Sequence, residues 1–140
     1  MNQPVNTVLG FDYGLKRIGV AVGQVITGTA TPLPLLAARD GVPDWGKIQK
    51  LITEWQPQLL LVGLPLNMDD SEQKMTKASR RFGNRLNGRF RLPVQWVDER
   101  LTSVEAEAML ADLKSQASGD NINVDSLSAK LIVEQWLGKP

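Results

Sequence analysis

Four acidic residues stand where a strand end or a helix start would present them for chemistry: Asp12, Asp98, Glu99 and Asp125. Asp12 closes an apolar run, and the chain turns tightly at Gly14 just after it. Such a carboxylate can ligate a metal ion, or it can bond its own backbone as an Asx turn. Asp98 and Glu99 follow Gln95-Trp96-Val97, and strand alternation sends only one of two neighbours toward a given face. Asp125 heads an apolar helix, where an N-cap is the ordinary role. Each has a bland explanation alone, and the four are informative as a set. The chain has 0 histidines and 0 cysteines. A Ser-His-Asp triad, a histidine base, a thiolate zinc site and a disulfide scaffold are therefore excluded. Oxygen-only ligands point to Mg²⁺ or Mn²⁺. Clustered carboxylates suit two such ions roughly 4 Å apart, the arrangement that hydrolyses phosphodiesters. Without cations the carboxylates would repel, so metal dependence is expected.

A second group has the opposite charge. Net charge is only +1, yet 7 of the 16 basic residues (Lys74, Lys77, Arg80, Arg81, Arg85, Arg89 and Arg91) lie in one stretch without an acid. Lys74, Lys77, Arg81, Arg85 and Arg89 recur at helical spacing, beside an apolar stripe of Met75, Ala78, Phe82 and Leu86. A face that merely solubilises a helix usually interleaves signs, so binding to a phosphate backbone is expected. From Asp98 onward acids outnumber bases.

The elements that must position these groups follow from period and punctuation. Residues 5–11, Ile18–Gly23 and Gly28–Leu36 read as an antiparallel meander, with Pro32 and Pro34 marking an edge. Asp44 caps a helix that carries Trp45, Ile48, Leu51, Ile52 and Trp55 and stops at Pro57. Leu59–Val62 is a buried strand, and Gly63-Leu64-Pro65-Leu66-Asn67-Met68 after it reads as a loop at the site's edge. In that loop Gly63 and Pro65 set the shape, and Asn67 can donate to substrate. Ser71 caps the basic helix, Pro93–Val97 is another strand, and Thr102-Ser103-Val104-Glu105 opens a further helix. A last helix runs from about Asp125 to Leu137, apolar nearly all round. The expectation is a single α/β domain over 1–140 with a mixed sheet, antiparallel on one side and parallel on the other, and ligands at the carboxyl ends of the parallel strands. The four tryptophans are expected in the core. The N-terminus carries no signal-peptide pattern and no apolar run is membrane-long, so a cytoplasmic location without a membrane partner is expected.

These residues resemble a known family. Phe11-Asp12-Tyr13-Gly14 with Arg17-Ile18-Gly19-Val20-Ala21 is similar to the opening motif of the YqgF/RuvX family of RNase H-like proteins. Val62–Met68 resembles its second motif, Asp98-Glu99-Arg100-Leu101-Thr102 its third, and Asp125 with Ser128-Ala129 its fourth. The resemblance implies an RNase H-like fold with a five-stranded mixed sheet flanked by helices. It implies metal-binding acids at Asp12, at Asp98-Glu99 (Glu99 preferred for its reach) and at Asp125. It implies the family's roles, Holliday-junction resolution and a nuclease that matures the 5′ end of pre-16S rRNA in ribosome biogenesis. Asp70 stands where Gly is common, and a basic residue usual before Asp125 is missing.

The leading expectation is a two-metal phosphodiester hydrolase acting on a ribosomal RNA precursor, with branched DNA as another substrate. Lys74, Lys77, Arg80, Arg81, Arg85, Arg89 and Arg100 are its nucleic-acid contacts. Junction resolution would need a symmetric pair of sites, so monomer and homodimer stay open. An actin-like ATPase is disfavoured because it needs two lobes. The alternative outside enzymology is a non-cleaving factor in ribosome assembly or transcription, since binding needs only the basic strip.

Overall fold

Apolar and β-branched residues make Thr7–Asp12 strand β1, and Arg17–Gln24 returns beside it as β2, antiparallel from Thr7↔Gln24 to Asp12↔Gly19. The computed structural model describes residues 4–65, 74–98 and 124–138. β3 (Thr29–Arg39) pairs antiparallel with β2, and the two-residue β4 (Val42–Pro43) pairs with the end of β3. On the other side of β1, β5 (Leu59–Leu64) and then β6 (Val94–Asp98) add in parallel. The spatial order is β4-β3-β2-β1-β5-β6. The expected mixed sheet is present, with β1 at the seam between its antiparallel and parallel halves; it has six strands where five are expected, the short β4 being the extra one.

Three boundaries differ from expectation. β3 runs on to Arg39 instead of ending at Leu36, because Asp40 (φ 50) and Gly41 (φ 82) turn the chain back onto Val42–Pro43. Gly63 and Leu64 are strand and not loop, since pairing with Val97 and Asp98 keeps them extended. Asp125 lies one residue inside its helix, which starts at Val124. The Ser71 cap, Asn67, Glu99, Arg100 and the helix expected after Thr102 lie outside the described residues.

Strand alternation sorts the core into two layers. Leu9, Phe11, Val20, Leu60 and Val62 meet Ile48 of α1 (Trp45–Trp55) and Phe82 and Leu86 of α2 (Lys74–Phe90) on one face. Val8, Ala21, Leu61 and Val97 meet Ala129, Ile132 and Val133 of α3 (Val124–Trp136) on the other. α1 begins as expected, with Asp44 Oδ1 accepting from the Gly46 N–H at 2.9 Å. It ends at Gln56 in the left-handed region, φ 48, before Pro57. α3 lies unusually close to the sheet. A Cβ at Gly10 would stand 2.4 Å from Val133 Cγ2, and one at Gly23 2.4 Å from Val133 Cγ1. Trp45, Trp55 and Trp136 pack partly buried against these clusters, whereas Trp96 is 37% exposed. It sits on the outermost strand, above Gly83 of α2, where a side chain would collide with its ring. Among the described residues no helix is long and apolar enough to cross a membrane.

Candidate active site and nucleic-acid interface

β1, β5 and β6 run parallel, so their carboxyl ends share one edge of the sheet. Asp12 ends β1 there, Leu64 and Pro65 end β5, and Asp98 ends β6. Alternation then decides which side each acid takes. Val8 and Gly10 face α3, so Asp12 follows them to that face, half-buried. On β6, Val97 faces α3 while Val94 and Trp96 face α2, which carries Asp98 to the α2 side. The structure therefore does not bring Asp98 to the face of Asp12.

α3 reaches the same edge by its first turn. Ser126 Oγ donates to the Leu33 carbonyl at 2.6 Å and accepts from the Val20 N–H at 3.5 Å. Val20 adjoins Gly19, the cross-strand partner of Asp12, and it marks the register shift between β2 and β3. The backbone of Asp125, beside Ser126, therefore arrives on the α3 face near Asp12; its side chain lies outside the described residues. Ser126, buried and bonded to the sheet, is a residue that sequence reasoning does not single out. Its signal is faint: one of two serines in an otherwise largely apolar helix. Gly14 permits the turn after Asp12, because a Cβ there would lie 2.5 Å from the Arg17 carbonyl oxygen. Gly63 is buried within β5, and Pro65 accepts from the Thr76 hydroxyl, which ties the start of α2 to the end of β5. Among the described residues, no three acidic side chains gather as a metal-binding group.

The basic residues of α2 all lie on the surface: Lys74, Lys77, Arg80, Arg81, Arg85 and Arg89 are exposed. Arg91 follows the helix at φ 56, off the strip. An aromatic cluster joins this strip to the candidate site. Tyr13, next to Asp12, stacks on Phe82 with centroids 4.7 Å apart, and Trp45 stacks on Phe82 at 6.1 Å. Arg89 Cζ lies 4.3 Å from the Trp45 ring centroid. The Tyr13 hydroxyl donates to the Gly41 carbonyl at 2.6 Å, which pins the β3–β4 turn. Sequence reasoning names Tyr13 only as part of the motif around Asp12 and gives it no role.

Burial raises the Tyr13 pKa above 10.0, against the opposing pull of the Arg85 and Arg81 charges. Tyr13 is the only tyrosine in the chain, so tyrosinate absorbance reads it alone. Its titration midpoint is expected above 10.0 in the folded protein and near the free value once unfolded. The burial contribution to stability is therefore complete below the unfolded pKa and is lost as pH rises through the folded one. A folded midpoint below 10.0 would show that the arginines outweigh burial.

A groove of about 800 Å³ lies away from Asp12 and Asp98. Its lining of Val5, Gln58, Leu59, Pro93, Gln95 and Trp136 places it at the amino ends of β1, β5 and β6. Size alone therefore does not mark the chemistry.

The family described as "RuvX: Holliday junction resolvase" matches residues 6–139. A protein of Nitrosococcus oceani named "Putative pre-16S rRNA nuclease" is 58% identical over 130 residues, covering 93% of this chain and 85% of its own. An Aeromonas salmonicida protein of the same name is 54% identical, covering 94% of each chain. Among solved structures, Thermus thermophilus RuvC in complex with a Holliday junction substrate superposes with TM-score 0.61 at 12% identity, covering 94% of this chain and 93% of that one. The yeast mitochondrial Holliday junction resolvase Ydc2 does so with TM-score 0.57 at 11% identity, covering 98% and 80%. At those identities the likeness concerns the fold, which is that of the RuvC-type, RNase H-like resolvases.

Proposed function

Because the chain belongs to the RuvX family, we propose that it is a nuclease, a metal-dependent endonuclease that processes the 5′ end of pre-16S rRNA in the cytoplasm. The observation that carries this is the position of Asp12. It ends the strand at the sheet's seam, on the face and at the edge reached by the first turn of α3, which carries Asp125.

Asp12, Glu99 and Asp125 are the residues we assign to hold Mg²⁺ or Mn²⁺, two ions in the full arrangement. An oxygen-only donor set fits a hard divalent cation, and a half-buried carboxylate at a strand end is a suitable ligand. The alternation that turns Asp98 toward α2 supports the next acid, Glu99, as the ligand from this segment. Bound ions would supply activation of water and stabilisation of the leaving oxygen. The chain's own residues do the rest. Lys74, Lys77, Arg80, Arg81, Arg85 and Arg89 hold the phosphate backbone, with Arg100 beyond the strip. Gly14 lets the backbone turn closely past Asp12. Thr76 holds α2 against the end of β5, so that strip and acids keep a constant relation.

Cleavage of a labelled rRNA precursor end and of a four-way DNA junction, with Mg²⁺ or Mn²⁺ and with EDTA, tests the proposal. Metal-dependent cutting of the precursor supports it, and preference for the junction would move the substrate to branched DNA. Tight binding with no cutting under any condition would favour a non-cleaving assembly factor. The double variant Arg81→Glu with Arg85→Glu is expected to weaken binding and flatten its salt dependence, by roughly 0.7–0.9 in log–log slope for each phosphate that is no longer neutralised. An unchanged slope would remove these arginines from the interface.

A further inference from the structure

The cleft between α2 and the β3–β4 turn is built from charges that do not satisfy one another. It holds about 110 Å³, and Tyr13, Asp40, Trp45, Arg81, Phe82 and Arg85 are among its lining residues. Arg81 and Arg85 project from one helix face at i, i+4 spacing, and Asp40 stands on the turn. Among the described residues, neither guanidinium forms an ion pair and the Asp40 carboxylate has no polar partner. The rings, by contrast, are engaged. Phe82 is buried, Tyr13 stacks on it and spends its hydroxyl proton on Gly41, and Trp45 meets both Phe82 and Arg89. The cleft therefore offers a ligand charge, not ring surface. Two cations suit a phosphate. A carboxylate only accepts hydrogen bonds, and beside a phosphate it repels unless a donor stands between them. The 2′-hydroxyl of a ribose is such a donor, and it is the group that separates RNA from DNA.

We infer that this cleft holds one ribose phosphate of RNA, the phosphate on Arg81 and Arg85 and the 2′-hydroxyl donating to Asp40, so that Asp40 biases the protein toward RNA over DNA. The inference rests on α2 being the nucleic-acid interface and goes beyond it by naming the sugar. A deoxyribose strand leaves Asp40 facing the phosphate with no donor, a penalty rather than a missing gain. Tyr13 lines the cleft and follows Asp12 directly, so the cleft adjoins the end of β1 that carries Asp12, on the α2 side of the sheet.

The test is fluorescence anisotropy in EDTA with all-ribo and all-deoxy hairpins of one sequence. Asp40→Gly removes the carboxylate and suits the positive φ of 50 at that position, so the turn survives. The wild-type protein is expected to bind the RNA about tenfold more tightly, the scale of one charge-assisted hydrogen bond at an exposed site. Asp40→Gly should bring the two affinities close together, chiefly by tightening the DNA complex. Asp40→Asn keeps an acceptor but loses the charge that repels a phosphate, so it too should tighten the DNA complex and should keep only the part of the preference that comes from the hydrogen bond to the 2′-hydroxyl. An RNA-to-DNA ratio that is unchanged in Asp40→Gly, or no preference in the wild type, overturns the inference and leaves the α2 interface standing. If Arg81→Ala with Arg85→Ala alters neither affinity, that interface fails as well.

Discussion

Asp12→Asn is expected to abolish cleavage while leaving nucleic-acid affinity in EDTA unchanged. The substitution keeps size and hydrogen-bonding capacity, so β1 and its pairing with Gly19 should persist. What it removes is the negative charge at the strand end. In our assignment that charge holds a cation against the reacting phosphate, and the affinity for the polyanion comes from α2, on the other face of the sheet. The loss should be at least roughly 10²–10³-fold, the scale for deleting one preorganised electrostatic group in an active site. Single-turnover cleavage at saturating Mg²⁺, beside anisotropy titrations, separates the two effects. Undiminished cleavage would remove Asp12 from the chemistry and with it the metal mechanism. A parallel loss of binding would mean that acids and basic strip are not the separate devices their positions suggest.

Gly10→Ala is the second large expectation, and it reads the packing rather than the chemistry. The added methyl would stand 2.4 Å from Val133 Cγ2, far inside contact distance, with the Ala129 carbonyl 3.5 Å away. β1 is paired on both sides and cannot retreat, so α3 must give. Overpacking of this kind costs about 1–3 kcal/mol, a fall in Tm of roughly 5–10 °C for a chain of this size. Because the first turn of α3 carries Asp125, cleavage should fall by more than the stability loss alone explains. Val133→Ala in the same chain vacates the space and should restore part of both, a non-additive pair in a double-mutant cycle. Strict additivity would mean that Val133 is not what Gly10 makes room for.

Much of the architecture is legible in the sequence because its causes are local. The Asp44 cap, the stop at Pro57, the Met75–Ala78–Phe82–Leu86 stripe and the apolar strands each follow from neighbours within a turn or a pleat. The order of strands and helices, with no histidine or cysteine, already points to a mixed sheet with carboxylates at strand ends. The Asp40-Gly41 turn carries a local signal too, a common turn dipeptide; it is masked by the two prolines, which suggest an earlier end to β3.

Other features have no local cause. Whether Asp98 shares a face with Asp12 depends on the register of β6 against β5, Leu64↔Asp98, which nothing in either strand specifies alone. The stack of Tyr13 on Phe82 and its bond to Gly41 join three segments far apart in sequence. Ser126 looks like a blemish in an apolar helix until it meets Leu33 and Val20 across the sheet. Composition and periodicity thus determined which residue types were available and which faces were apolar, because those depend on 3.6- and 2-residue repeats. That Asp98 turns away from the face of Asp12, and which turn closes over the arginines, were decided by tertiary contacts alone, because side chains distant in sequence meet only once the sheet has chosen its register.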